Sequence, residues 1–190
     1  NNPAWIFLDL ATRPRYGLGD RIPLGLMDKW SLYEIARYCD QMVPDGFGGE
    51  EPRFTCNTYI QTRENAYEVL QNLASIFRGI TYYASGSVFA VADQPKSPMF
   101  LYNNSNVVDG RFTYSGSPKS TRYTVALVGY NDPNDFFRQK VEYVEDREGF
   151  LKYGYQETQL TAFGCSSRGQ AHRVGKWALL TSQIETPMCS

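Results

Sequence analysis

His172 is the single histidine of this 190-residue chain, and it limits which reactions the chain could run. Imidazole is the only side chain whose unperturbed pKa lies near neutrality. A serine or cysteine nucleophile would need His172 beside it and a carboxylate to orient the ring. Cys165, Ser166 and Ser167 lie nearby in sequence, but no nucleophile-elbow pattern surrounds them. A surface or helix-packing role for His172 is the expectation. The four cysteines, Cys39, Cys56, Cys165 and Cys189, are too widely spaced for a zinc site, which uses close pairs and more histidine. Cys39 and Cys56 occupy apolar positions of periodic segments and read as buried thiols, consistent with a reducing compartment.

A glycosidase pair could be drawn from Asp28, Glu34, Glu50, Glu51, Glu142, Glu145 and Asp146. Nothing in the spacing makes any two of them face each other. Solvated carboxylates are the expectation, with Glu142, Glu145 and Asp146 read as exposed. The loop Asp45-Gly-Phe-Gly-Gly49 has the glycines of a phosphate cradle. A P-loop, however, needs a lysine and a hydroxyl at a helix start, and here Glu50, Glu51 and Pro52 follow. Two carboxylates repel phosphate and proline removes a donor, so a turn is expected. Arg168, His172, Arg173 and Lys176 form a basic stripe at helical spacing, which a solvated helix face explains. These residues predict no catalytic, cofactor-binding or metal-binding site, and a protein that is not an enzyme.

Aromatic content is what remains: 14 Tyr, 11 Phe and 3 Trp. Tyrosine joins a large apolar body to a polar tip and is favoured at protein interfaces, although strands also select it. Tyr82, Tyr83, Tyr102, Tyr153 and Tyr155 join Tyr114, Tyr123, Tyr130 and Tyr143 as exposed-looking positions. The last four are the candidate interface residues. Net charge is −1, so no global basic field draws the chain to nucleic acid or an anionic membrane, and no sequence-specific nucleic-acid binding is expected. The longest apolar runs, such as Trp5–Leu8, are far too short to span a bilayer. Without a signal peptide or an initiator methionine, the chain reads as a segment of a longer protein.

The elements that would position these residues follow from periodicity. Residues 1–27 read as irregular, broken at Asn2-Pro3 and Arg13-Pro14, with at most a short element over Ala4–Ala11. Asp28, or a capping box at Ser31-Leu-Tyr-Glu34, starts a helix burying Leu32, Ile35, Ala36 and Cys39 and ending at Pro44. Phe54, Cys56, Thr58 and Ile60 alternate as on a strand. Thr62 caps a second helix with Ala66, Val69, Leu70, Leu73, Ala74 and Phe77 inward, and Gly79 supplies its left-handed C′ residue. Ile80–Tyr83 and Ser87–Val91 bracket small residues as a hairpin. The polar, proline-bearing stretch from Gln94 to Asn106 reads as a boundary. Strands are expected at 111–114, 121–130, 138–144 and 156–163, with a helical turn over 146–153. A last helix capped by Ser166 or Ser167 turns Ala171, Val174, Ala178 and Leu179 inward. The fold class is α+β, divided as an irregular connecting segment (1–27), a small helix/sheet subdomain (28–104) and mostly antiparallel strands with a late helix (105–190).

Several runs carry a resemblance. They include Asn1-Asn-Pro-Ala-Trp5, Arg15-Tyr-Gly-Leu-Gly19, Ile35-Ala-Arg-Tyr-Cys-Asp40, Val43-Pro-Asp-Gly-Phe-Gly-Gly49, Glu51-Pro-Arg-Phe-Thr-Cys56 and Ala74-Ser-Ile-Phe-Arg-Gly79. Asn106-Val-Val-Asp-Gly110, Phe112-Thr-Tyr-Ser-Gly116, Val141-Glu-Tyr-Val-Glu-Asp146 and Thr161-Ala-Phe-Gly-Cys165 continue it. Ser167-Arg-Gly-Gln-Ala-His-Arg-Val-Gly-Lys-Trp177 is the most specific run. Together, in collinear order over nearly the whole chain, they resemble the tail-tip attachment (host-specificity J) family of lambda-type bacteriophages. The resemblance implies a virion component at the tail tip, made in the host cytoplasm. It further implies a hub-building interior segment in a trimeric protein, with residues from 107 onward contributing strands to a hub barrel. Implied partners are copies of itself and other tail-tip and tail-tube proteins. Hub assembly would support host attachment and DNA delivery indirectly. Two other readings stay open: a cell-wall hydrolase using paired carboxylates, and a receptor- or carbohydrate-binding module.

Overall fold

Asn2-Pro3 starts a helix instead of breaking the chain. In the computed structural model, which describes residues 1–61, 64–84, 87–115, 118–184 and 188–189 (backbone alone at 114, 115, 188 and 189), helix α1 spans Pro3–Thr12. The Asn2 side chain accepts the Ala4 N–H at 3.0 Å and donates to the Ala36 carbonyl at 2.8 Å. Proline at the first helical position loses only an amide that has no intrahelical partner, and its φ is already helical. Ala4, Phe7 and Ala11 form the buried stripe.

Asp28 caps helix α2, Lys29–Cys39, and the alternative start at Ser31 is not used. Ser31 instead donates its hydroxyl to Asp28 at 2.5 Å, and the Trp30 and Ser31 amides also reach that carboxylate. The Ser31 hydroxyl bond is the main cause that holds the Asp28 carboxyl below the ordinary aspartate range. A depressed folded-state pKa contributes stability above the unfolded value, about 3.9, that disappears as pH falls through the folded value. Asp28→Asn keeps a capping side chain but removes the charge. The variant should therefore show a shallower loss of melting temperature between about pH 5 and pH 2. Parallel acid profiles for the two proteins would contradict this.

The α2 helix ends before the expected Pro44. Met42–Pro44 (β1) pairs antiparallel with Glu50–Pro52 (β2). The glycine-rich loop is thus a hairpin turn. The Asp45 carboxylate takes the Phe47 and Gly49 amides at 2.7 and 2.9 Å, so the donors a phosphate would need are already used.

Residues 54–60 carry no regular element and are not a strand. Phe54 and Cys56 are buried as their alternation predicts, while Thr58 and Ile60 are exposed. The amides go singly to scattered carbonyls: Phe54 to Cys39, Cys56 to Asn1 and Asn57 to Gly164. Alternating burial needs only an extended backbone; a ladder also needs one continuous neighbour.

Helix α3 spans Ala66–Ile76 and is capped by Asn65, whose side chain accepts the Tyr67 N–H. The expected cap Thr62 lies outside the described residues. Ala66, expected inward, is exposed. The left-handed residue after the helix is Arg78, at φ 55°, and not Gly79. Gly79 is needed for space: a Cβ there would sit 2.1 Å from the Phe77 ring. It opens β3, Gly79–Ala84, which pairs with β4, Ser87–Ala92, in the antiparallel hairpin expected from the sequence.

The chain forms two compact units. The first holds residues 1–93, 129–142 and 161–171. Phe7, Leu32, Ile35, Leu73 and Phe77 are central to its core, and the Phe7 and Phe77 rings meet edge-on at 6.4 Å.

The second unit holds residues 94–128, 143–160 and 172–190. Strand β5 is Tyr114–Ser115, followed by β6 (Val125–Asp132) and β7 (Arg138–Glu145). Helix α4 is Arg147–Tyr153, strand β8 Glu157–Thr161 and helix α5 Arg168–Ile184. Strand β9, Met188–Cys189, pairs antiparallel with β5. Sheet order is β7-β6-β8. The Thr124 and Val125 amides share the Gln156 carbonyl, and Gln183 on α5 bonds both the Tyr123 carbonyl and the Asp146 carboxylate. Gly175 lets α5 lie against Val128 and Val144, 3.0 and 2.7 Å from where its Cβ would be. The fold is α+β as expected. Among the described residues the widest sheet has three strands and no barrel closes.

Candidate functional site: exposed aromatic surfaces

Of the carboxylates considered for hydrolysis, Glu34 and Glu50 are exposed, while Asp28, Glu51, Glu142, Glu145 and Asp146 are occupied in building the fold. Glu142, expected exposed, is 7% exposed and accepts from Arg168 Nε at 2.7 Å. Glu51 accepts the Ser167 hydroxyl. Asp146, half-buried instead of exposed, caps α4 and takes Gln183. Glu145 pairs with Arg147 at 2.9 Å, which is the main cause that holds it below its ordinary range. The displaced carboxylates Asp9, Asp28, Asp132, Glu145, Asp146 and Glu157 are all held low. A glycosidase acid needs the opposite displacement. Burial pushes the Cys39 thiol up to about 12, far from a nucleophile's range. His172 is half-buried on α5. No trio of His, Cys, Asp or Glu among the described residues is placed to hold a metal, and no helix there is long and apolar enough to cross a membrane.

The specific run at 167–177 is a junction within the first unit as far as Ala171. Ser167 caps α5, accepting the Gln170 N–H at 3.2 Å. Arg168 is exposed, as expected of a solvated helix face, and it also lies over the Phe47 ring at 4.6 Å while bonding Glu142. Gln170 reads the backbone of Thr55: its Oε1 accepts the Thr55 N–H at 3.0 Å and its Nε2 donates to the Thr55 carbonyl at 3.1 Å. This side chain replaces the missing strand neighbour of residues 54–57. Periodicity gave no signal for it.

Of the candidate interface tyrosines, Tyr143 is exposed on β7 and Tyr123 is half-buried. Tyr130, expected exposed, is 7% exposed because β6 is the central strand and hides consecutive residues from Val128 to Tyr130. The side chain of Tyr114 lies outside what is described. Around Tyr143, sequence reasoning missed its neighbours Phe150 and Leu151. They project from α4 beside Tyr155 and line a depression of about 590 Å3, rimmed by Glu145, Asp146 and Arg147. The Phe150 and Tyr155 rings meet edge-on at 6.4 Å. Tyr143 and Tyr155 donate their hydroxyls to Glu145 and Glu157, which fixes both rings. The first unit has a separate apolar surface. Ile80 and Tyr82 on β3 face Val91 and Phe89 on β4, with Tyr82 stacked on Phe89 at 5.5 Å. Contiguous exposed apolar side chains of this kind mark association surfaces.

A family model described as "Putative phage tail protein" matches residues 65–187. The chain belongs to this phage-tail family. The matched range contains the β3–β4 face, the depression between β7 and α4, and nearly all of the second unit. Relatives extend the likeness over the rest of the chain. The tip attachment protein J of Escherichia phage SECphi27 is 44% identical over 187 residues, covering 98% of this chain and 16% of that protein. The protein of the same name from Escherichia phage SECphi4 is 36% identical over 186 residues, covering 97% of this chain and 16% of that protein. The chain therefore spans about one-sixth of the length of the curated relatives it matches. That likeness agrees with the resemblance read from the sequence.

Proposed function

We propose that this chain is an interior, structural segment of a phage tail-tip protein, at work in the virion at the distal end of the tail. Its task is packing and symmetric association with copies of itself, as a trimeric hub, and with other tail-tip and tail-tube proteins. Through that assembly it supports host attachment and DNA delivery indirectly. The observation that carries this reading is the collinear likeness of nearly the whole chain to two tip attachment proteins. The exposed aromatic groups support it, because a few such anchors dominate association energies.

Tyr143→Ser combined with Tyr155→Ser tests it. Association followed by sedimentation velocity should weaken about tenfold or more, which is about 1.4 kcal/mol. Melting temperature should move by no more than about 2–4 °C, as for a change of about 1 kcal/mol. Loss of association and of melting temperature in equal proportion would count against the reading. A peptidoglycan zymogram of the chain should stay uncleared; clearing abolished by one acidic substitution would replace the structural role with a hydrolytic one.

A further inference from the structure

Residues 95–106 are exposed without interruption and carry no regular element apart from a turn near the end. Within them Met99, Phe100, Leu101 and Tyr102 are between 64% and 95% exposed. Four consecutive large apolar side chains in water are an interaction surface, not a linker. Pro95 and Pro98 fix φ at two positions and bias the preceding residues to extended backbone. A turn holds the far end: Asn106 donates to the Leu101 carbonyl at 2.8 Å and accepts the Asn103 N–H at 2.8 Å. These backbone constraints lower the conformational entropy lost on docking, which favours recognition of such an arm.

The same unit contains the depression between β7 and α4. Its walls are Tyr143, Phe150, Leu151 and Tyr155, and its rim carries the carboxylates of Glu145 and Asp146 beside the Arg147 guanidinium, which pairs with Glu145. Volume and lining suit a few large apolar side chains. The arm brings Lys96 just ahead of Met99, a cation for a rim whose two carboxylates outnumber its one guanidinium. Glu145 and Asp146 are both held low, so the rim is charged near neutral pH. The arm's side chains are exposed in its own chain, so they do not fill its own depression.

We propose that residues 95–102 of one copy dock in the β7–α4 depression of a neighbouring copy. Phe100 and Leu101 enter the apolar floor and Lys96 meets the acidic rim. Arm and depression are different surfaces, so the contact is head-to-tail. Each copy donates one arm and accepts one, and the chain of contacts ends only when a ring closes. This rests on the symmetric association proposed above and names the surfaces that make it.

The test places a photo-reactive benzoyl-phenylalanine at Leu101 in an equal mixture of 15N-labelled and unlabelled chain. Irradiation should give mixed-isotope adducts whose cross-linked peptides lie within residues 143–155. In parallel, Leu101→Asp and Leu151→Asp should each weaken association at least tenfold with melting temperature little changed, since both side chains are exposed. The double variant should be no weaker than the worse single one, because one contact is being removed. Independent, multiplying losses overturn the proposal. Adducts within one chain, or to peptides elsewhere, overturn it while leaving the assembly reading intact. A chain that stays monomeric at every concentration overturns both.

Discussion

Phe77→Ala is expected to destabilise the first unit by about 3–5 kcal/mol, the range for removing a buried phenylalanine ring. Phe77 is fully buried just after α3, edge-on to Phe7 of α1. Its ring also lies 2.1 Å from where a Cβ of Gly79 would be, so ring and hairpin are fitted to each other. Removing the ring withdraws contacts from α1, α3 and the start of β3 together, and the backbone that follows cannot collapse inward without moving the hairpin. Thermal melting followed by circular dichroism should fall by about 6–20 °C. A fall near that of a surface substitution would mean that the three elements do not share one core.

Gly169→Ala should cost about 1–3 kcal/mol, as overpacking does, although alanine is the better helix former. The added Cβ would lie 2.6 Å from the Asp45 carbonyl oxygen and 2.6 Å from Glu51 Oε1. Glu51 is held by the Ser167 hydroxyl, and Asp45 is backbone of the β1–β2 turn, so neither moves alone. The substitution pushes the turn away from the start of α5 and should loosen the bond from Arg168 to Glu142. Gly25→Ala is the control, since nothing stands within 4 Å of its Cβ position. Equal melting temperatures for the two variants would show that this junction has slack.

Local sequence was a good guide where one face of an element meets one partner. The stripe Leu32, Ile35, Ala36 and Cys39 is the buried face of α2, and Val69, Leu70, Leu73 and Ala74 that of α3. The β3–β4 hairpin, the cap at Asp28 and the helical turn after Asp146 were legible for the same reason: each depends on residues within one or two turns of each other. Asn2-Pro3 was misleading because proline stops a helix from inside and starts one at its first position. Thr58 and Ile60 were misplaced because alternation shows which way side chains point, not whether anything covers them. The depression beside Tyr143 was half legible. The tyrosine is visible in the sequence, but Phe150 and Leu151 join it only because α4 turns them to the same side.

By itself, then, the sequence determined the helical faces, the hairpin, the α+β class and membership of a phage-tail family, because these depend on short-range periodicity or on collinear residue identity. Tertiary structure alone decided that Glu142 is buried under Arg168, that Tyr130 is hidden in a central strand, and that Gln170 takes the place of a strand neighbour for Thr55, 115 residues away. The physical reason is that burial of a polar group is set by what the rest of the chain brings against it. No pattern within one element records which distant segment that will be.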